Sequence, residues 1–141
     1  YKFTSSGLVG DDALDTIFSC EYTKDSDVGT YVITPTDCTF TSGVKNNYNI
    51  EYVNGTLSIY GSSYNKTSKT VKIYSKYDTD IDCYIVSYAE NGTLDGIKKE
   101  HCSLKADKIS TIDISSLKIS ENDSIKIFLW DNNLTPVEIT N

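Results

Sequence analysis

Four cysteines are the side chains with the most defined chemistry in this sequence: Cys20 and Cys38 in the first half, and Cys83 and Cys102 in the second. One pair in each half is typical of intradomain disulfides in an oxidising compartment. The alternative is that all four are free buried thiols, which pack as small apolar side chains. The chain has no Cys-x-x-Cys motif, so we expect no structural zinc site.

Nucleophilic catalysis needs a histidine base close to a serine or cysteine, and His101 is the single histidine. It adjoins Cys102, and consecutive residues of a strand point to opposite faces. We therefore interpret His101 as a surface residue. Glycoside hydrolysis needs two carboxylates facing each other across a cleft, for which the sequence gives no sign. The sequence predicts no catalytic residues and no enzymatic activity.

Acidic side chains are concentrated in DTDID, residues 78–82, where one loop could offer several oxygen ligands to calcium. An EF-hand loop would place glutamate where Ala89 stands, and no glycine follows the third aspartate. We interpret this stretch as a solvated inter-strand loop and expect no metal and no other cofactor. Asp25 and Asp27 are interpreted similarly, as carboxylates that cap a turn.

Trp130, followed by Asp131 and Asn132, has the residue types that bind sugars through ring stacking and hydrogen bonds. Alternation along the predicted strand 124–130 places Ile125, Ile127 and Leu129 on one face and Lys126, Phe128 and Trp130 on the other. The lysine indicates that the second face is partly open. Three interpretations of Trp130 stay open: a half-buried aromatic at a strand end, a contact with the first half of the chain, or a glycan-stacking residue.

The elements that must position these residues are mostly strands. Short runs rich in Thr, Tyr, Ile and Val alternate in polarity and end at Asn-Gly, Asp-Gly or Gly-Ser. In the second half the predicted strands are residues 70–77, 82–88, 97–104, 109–114 and 124–130. Their spacing predicts an immunoglobulin-like β-sandwich. The small polar residues 61–63 predict a connector between one domain at 1–61 and another at 62–141.

In the first half, residues 7–18 predict one short helix, because Asp11 or Asp12 can cap its N-terminus and apolar residues follow at helical spacing. Residues 47–60 predict a β-hairpin. Its turn would be Asn54-Gly55, whose preference for positive φ suits a type I′ turn.

The tetrapeptide NGTL occurs at 54–57 and again at 91–94, and both copies are interpreted as turns. A tight turn at the second copy places Cys83 opposite Glu100, two residues from Cys102. A disulfide between these cysteines would therefore require a bulge, for which Gly96 is the natural site.

Charge and hydropathy exclude two classes of partner. All thirteen basic residues are lysines, and twenty acidic residues give a net charge of -7. Most of the surface would therefore repel a phosphate backbone, so we expect no nucleic acid as partner. No apolar run approaches the roughly 18 residues that span a bilayer, so we expect no membrane span in this segment. The first residues do not form a signal segment, and we expect the chain to be a soluble piece of a longer protein.

Four motifs lie in the first half: GL at 7–8, GD at 10–11, VGTY at 28–31 and NYNIEYVNGTLSI at 47–59. On these the first half resembles the MBG-type repeat of bacterial surface adhesins. The resemblance implies a β-grasp-like fold and a tandemly repeated extracellular stalk module. Family members usually begin with a further strand and a Tyr-Gly element. Both are missing here, so we expect an N-terminally truncated domain with an unpaired sheet edge.

The second half carries YIVSY at 84–88, NGTL at 91–94, IKIFLWD at 125–131 and Pro136. On these it is similar to a small sandwich module at the C-terminal ends of clostridial secreted and surface proteins, many of them carbohydrate-active. Lysine without arginine, with much Asn and Ile, fits an AT-rich Gram-positive genome.

Together, the two resemblances predict a non-enzymatic stalk or spacer of a Gram-positive surface protein, secreted or attached to the cell wall. Its partners would be adjacent domains of the same protein. The alternative is a carbohydrate-binding accessory module of a secreted glycosidase, with host or plant glycans as partners.

Overall fold

The computed structural model describes residues 2–140, in which strands predominate and the single helical element is a 3-10 turn at Lys45–Asn47. The mostly-β prediction is confirmed. The strands are β1 (Ala13–Cys20), β2 (Gly29–Ser42), β3 (Gly55–Ile59), β4 (Gly61–Asn65), β5 (Thr70–Ser75), β6 (Thr79–Tyr88), β7 (Leu94–Leu104), β8 (Lys108–Asp113) and β9 (Ser124–Trp130).

The chain divides into two compact units that are each assembled from two stretches of sequence. The first unit consists of Tyr1–Lys24 and Thr30–Ser58, and the second of Asp25–Gly29 and Ile59–Asn141. The later half of the stretch that connects β1 to β2 therefore belongs to the second unit.

The predicted helix is wrong, because residues 13–18 belong to β1, which pairs antiparallel with β2. Some of the apolar residues at helical spacing are also two or four residues apart, which is the spacing of one face of a strand. Leu14 and Phe18 are half-buried, as is Thr16 between them, whereas Ile17 is 66% exposed. Pairing with β2 supplies the backbone hydrogen bonds, so tertiary context decides between the two periods. The helix that a β-grasp fold packs on its sheet is absent from residues 2–140.

The predicted hairpin at residues 47–60 is also wrong. Residues 48–54 are irregular, and β3 begins at Gly55, which does not have a positive φ. The first unit has the strand order β1-β2-β3, so β3 pairs with β2. Tyr48 stacks on Phe40 of β2 with ring centroids 5.0 Å apart, and its hydroxyl donates to Asp12 at 2.5 Å. These contacts hold the irregular segment against the sheet in place of a hairpin.

The second unit contains two three-stranded antiparallel sheets, with strand orders β4-β5-β8 and β7-β6-β9. The five strands predicted from the sequence are all present. One hydrophobic core contains residues of both sheets, including Val71 and Ile73 of β5 and Ile81 and Ile85 of β6, all 0% exposed. Residues 61–63, predicted to be a connector, instead begin β4, which pairs with β5.

The second NGTL is a turn, and the predicted register is confirmed, because Cys83 lies opposite Glu100. Gly92 has φ +82°, and its N–H donates to the carbonyl of Ala89 at 2.8 Å. The Ala89 N–H in turn donates to the carbonyl of Thr93 at 2.9 Å. This is a three-residue loop with a glycine bulge. One tetrapeptide therefore has two structures, because the strands available for pairing differ.

The predicted disulfides are wrong, because all four cysteines are free. In the β1–β2 pair, Cys38 lies opposite Thr16, four residues and about 13 Å along the strand from Cys20. In the β6–β7 pair, Cys102 lies opposite Ile81, two residues from Cys83. Diagonal neighbours of this kind are roughly 7–8 Å apart, beyond the usual span of a disulfide. The register shift near Gly96 lies on the turn side of both cysteines and does not bring them together.

Candidate functional site

The outer face of the β7-β6-β9 sheet carries a group of aromatic and charged side chains. Ile81, Cys83 and Ile85 of β6 point into the core. Alternation therefore directs Asp82 and Tyr84 to the opposite face. The antiparallel partners of these two residues on β7 and β9 share that face.

Register arranges six of these side chains in two rows across the sheet. One row is Lys99, Tyr84 and Phe128, and the next is His101, Asp82 and Trp130. We call these six residues the outer-face cluster. Its basic residues, Lys99 and His101, lie on β7, and the rings of Phe128 and Trp130 lie on β9. Neighbouring strands are about 4.8 Å apart, so the cluster is about 10 Å wide.

The aromatic rings of the cluster contact each other. The ring centroid of Trp130 lies 5.1 Å from that of Tyr84 and 5.7 Å from that of Phe128, with interplanar angles of 50° and 47°. All three side chains are half-buried. Tilted contacts at this distance are the favoured geometry for aromatic pairs. A backbone bridge between Trp130 and Pro136 fixes the end of β9.

In the cluster, the carboxylate of Asp82 is nearly buried, and the basic side chains that bind it are exposed. Asp82 accepts from Lys99 Nζ at 2.7 Å and its side chain is 11% exposed, whereas the Lys99 side chain is 54% exposed. Asp82 also contacts His101 Nδ1 at 3.1 Å, and the histidine side chain is 56% exposed. The Lys99 and His101 hydrogen bonds lower the pKa of Asp82 below its ordinary value. An ionised carboxylate can only accept, so Nδ1 donates, and Nε2 has no part in this bond.

The structure places the predicted glycan-stacking residues in different roles. Trp130 is half-buried and contacts the rings of the cluster. Asp131 binds its own turn, because its Oδ1 accepts from the backbone N–H groups of Asn133 and Thr135, each at 2.8 Å. Asn132 is exposed. Lys126 and Phe128 share the face of Trp130, as predicted, since Lys126 lies opposite Val86 and Phe128 opposite Tyr84.

The three carboxylates of residues 78–82 diverge. Asp78 accepts from Lys105 Nζ at 2.9 Å and from the Ala106 N–H at 2.8 Å, while Asp82 belongs to the outer-face cluster. Asp80 lies opposite Ser103 on β7. The loop prediction is wrong for most of this stretch, because β6 begins at Thr79. Across residues 2–140, no group of three or more His, Cys, Asp or Glu side chains is placed to hold a metal ion.

Asp27 is not a simple turn cap. Its carboxylate accepts from Lys72 Nζ at 2.8 Å, Ser63 Oγ at 3.1 Å and Asn65 Nδ2 at 3.5 Å. The bond from Lys72 lowers the pKa of Asp27 most, and the bonds from Ser63 and Asn65 lower it further. The next residue, Val28, is 8% exposed and donates its N–H to Ser63 Oγ at 3.2 Å. These contacts hold Asp25–Gly29 within the second unit.

The cysteines of the second unit are not activated as nucleophiles. Burial raises the pKa of Cys83 to about 12, and the charge of the neighbouring Cys102 adds to the effect. Burial also raises the pKa of Cys102. A nucleophilic thiol needs its thiolate form, which both environments disfavour.

The sequence analysis identified Trp130 and placed Phe128 on its face, but it did not bring the other members of the outer-face cluster to them. The predicted β6–β7 register already placed Lys99 opposite Tyr84 and His101 opposite Asp82, so these two pairs were accessible from the sequence. The pairing of β6 with β9 was not, because it joins strands far apart in the chain and leaves no local signal.

Residues 1–58 match the family model described as MBG domain (YGX type). MBG domains are non-catalytic repeats that occur in extracellular, adhesin-like surface proteins. The match supports the MBG-type interpretation of the first half, and no comparison supports the clostridial module in the second half. No curated protein and no solved structure matches the chain. Within residues 2–140, no helix has the length and apolar character needed to cross a membrane.

Proposed function

We propose, from the MBG match of residues 1–58, that this chain is a non-enzymatic stalk segment of a Gram-positive bacterial surface protein. It lies outside the cell and holds neighbouring domains of the same protein away from the cell wall. We further propose that it contains two domains, with a boundary near residue 61. The family match is the single observation that carries the stalk proposal, because MBG domains occur in adhesin-like surface proteins.

The second unit has physical properties that suit a spacer. Its two sheets have central strands, β5 and β6, that are hydrogen-bonded along both edges. Seven of the nine side chains in its core cluster are at most 1% exposed, so its closely packed interior resists deformation. Asp27 binds Lys72, which adds a polar attachment for a stretch distant in sequence.

Surface display tests the stalk proposal. The chain is placed between a cell-wall anchor and a small antigen-binding domain on a Gram-positive cell, and capture of large antigen-coated particles is measured. A Gly/Ser linker of equal residue number is the matched control. We expect greater capture with the folded segment, because a folded segment keeps a fixed spacing whereas a flexible linker samples many short end-to-end distances. Equal capture would reject a spacing role.

A second candidate function is supported by the outer-face cluster: the chain would be a carbohydrate-binding accessory module. Half-buried rings with adjacent hydrogen-bonding side chains are the combination that binds sugars. A screen against immobilised host and plant polysaccharides tests this candidate, with Trp130→Ala as the control. Binding that requires the ring supports it, whereas an absence of binding in the screen favours the stalk alone.

A further inference from the structure

The outer-face cluster presents basic side chains, not carboxylates, to the solvent. Its one acid, Asp82, is 11% exposed, and the two basic side chains that bind it are each more than half exposed. Lys99 hydrogen-bonds Asp82 and the Tyr84 side chain, and a lysine ammonium has three N–H groups. The third N–H can bind a second carboxylate without breaking the first ion pair.

The same residues combine this positive charge with an apolar surface. Lys99 Nζ lies 5.4 Å from the centroid of the Tyr84 ring, which in turn contacts Trp130. A ligand lying across the rows would therefore meet a cation at β7 and aromatic rings at β9. The width of about 10 Å, two strand spacings, suits a small saccharide.

We infer that the outer-face cluster binds a carboxylated sugar, whose ring packs against Phe128 and Trp130 and whose carboxylate is held by Lys99. This inference rests on the carbohydrate-binding candidate and specifies its ligand class. A neutral sugar would use the rings but leave the third N–H of Lys99 without an acidic partner. Charge-assisted hydrogen bonds are roughly twice as strong as neutral ones, which favours the acidic ligand.

The net charge of -7 does not prevent such binding. At physiological ionic strength the Debye length is about 8 Å, so distant carboxylates are largely screened. The nearest other acid on this face of β6 is Asp80, which lies one row beyond Asp82, on the side away from Lys99. The carboxylate of the sugar is therefore bound at the Lys99 side of the cluster.

Binding is measured by isothermal titration with four probes: tetragalacturonate, its full methyl ester, sialyllactose and lactose. We expect one acidic probe to bind at least about tenfold more tightly than its neutral counterpart, with an affinity that decreases as salt increases. Which acidic probe binds distinguishes a uronic acid polymer from a sialylated glycan.

Three variants locate the site. Lys99→Gln is expected to weaken binding about tenfold, because it removes one charge-assisted bond. Lys108→Gln, an exposed lysine of the other sheet, is the charge-matched control and should change the affinity less than about twofold. Trp130→Ala should abolish measurable binding. Because that variant can lose stability, Lys99→Gln, which alters an exposed side chain, keeps the test independent of folding.

The outcomes separate this inference from the function on which it rests. Equal binding of an acidic probe and its neutral counterpart would overturn the inference and leave the carbohydrate-binding candidate standing. No binding of any of the four probes would overturn both. An unchanged affinity in Lys99→Gln would overturn the inference alone. A dimer in sedimentation that Trp130→Ala dissociates would also overturn it, because a second copy would then occupy the face.

Discussion

The two units differ most in how they bury apolar side chains. The core cluster of nine buried residues lies entirely in the second unit, between its two sheets. Among the described residues of the first unit, Cys38 is the one buried apolar side chain, at 4% exposure. Both units consist of antiparallel strands. Strand pairing alone therefore does not make a core; a second layer must cover the sheet.

Aromatic pairs supply apolar contacts in the first unit, whereas the second unit has both aromatic pairs and a buried aliphatic core. Phe3 contacts Phe18 with ring centroids 6.1 Å apart, and Tyr22 contacts Tyr31 at 5.2 Å. On its sheet, Ile17 and Val32 are 66% and 57% exposed. A small sheet of this kind has little buried area to offset its conformational entropy. We expect the first unit to be the less stable of the two.

The largest expected effect comes from the same substitution made in each unit. Ile85→Ala removes a side chain that is 0% exposed in the core of the second unit and should cost about 3–4 kcal/mol of unfolding free energy. Ile33→Ala removes a half-buried side chain of β2 and should cost about 1–2 kcal/mol. Urea denaturation measures both.

Tryptophan fluorescence reports unfolding of the second unit alone, because Trp130 is the single tryptophan and lies in that unit. Its fluorescence should follow the Ile85→Ala transition, and far-ultraviolet circular dichroism should follow both units. Equal costs for the two substitutions would contradict the contrast in core packing.

A smaller effect is expected from Asp27→Asn, which removes the charge that Lys72 binds at 2.8 Å. The variant should lose about 1–2 kcal/mol in the second unit, because a charge-assisted bond between partly buried groups becomes a neutral one. Hydrogen exchange should increase at Val28, whose N–H donates to Ser63. The matched control is Asp25→Asn at an exposed position, which should have no effect. Unchanged exchange at Val28 would show that Asp27 does not hold this stretch.

The sequence was informative where alternation and chain-local pairing decide the structure. Alternation predicted all five strands from β5 to β9, and the Asn91-Gly92 turn predicted the register of β6 and β7. The predicted helix was wrong at β1, where the sequence fits both a helical and a strand period and pairing with β2 selects the strand. The predicted hairpin at Gly55 was wrong because Tyr48, in the segment before it, contacts Asp12 and Phe40 in earlier parts of the chain.

The candidate site was predictable only in part for the same reason. The face of Trp130 followed from alternation within β9. The partners of that face, Tyr84 and Asp82, depend on a pairing between strands separated by two others. Asp131 looked free in the sequence, but its carboxylate accepts from its own turn. Short polar side chains often bind neighbouring backbone in this way.

Acid should destabilise the second unit. Four of its carboxylates, Asp27, Asp78, Asp82 and Asp113, have pKa values lowered from the ordinary 3.8. A lowered folded-state pKa contributes stability above the unfolded value, and this stability is lost as pH falls through the folded value. Trp130 fluorescence should therefore report decreasing stability below about pH 4. Stability that stays constant down to pH 2 would contradict these ion pairs and hydrogen bonds.

Alkali should act on the first unit through Tyr48, whose pKa is raised from 10.0 mainly by its hydrogen bond to Asp12. A raised pKa contributes stability that is complete below the unfolded value and is lost as pH rises through the folded value. Circular dichroism should show this loss above pH 10, and the loss should be smaller in Tyr48→Phe. Identical alkaline profiles for the variant and the parent chain would show that the Tyr48 hydroxyl does not stabilise the unit.

Reduction should have the smallest effect, because no disulfide joins the four thiols. The melting temperatures of both units should be the same with and without reducing agent, and four thiols should react in denaturant.

In the native state Cys83 should react most slowly. It is 0% exposed, and a pKa near 12 leaves about a thousandfold less thiolate than its ordinary value of 9.0. Cys102, which is half-buried, should react faster although it lies on the neighbouring strand. A mass loss of two hydrogens with fewer reactive thiols, mapped to a peptide pair that contains Cys83 and Cys102, would show that the β6–β7 register shifts to join them. That shift would move every side chain of β7 relative to β6, including Lys99 against Tyr84. Thiol titration therefore also tests the register on which the outer-face cluster depends.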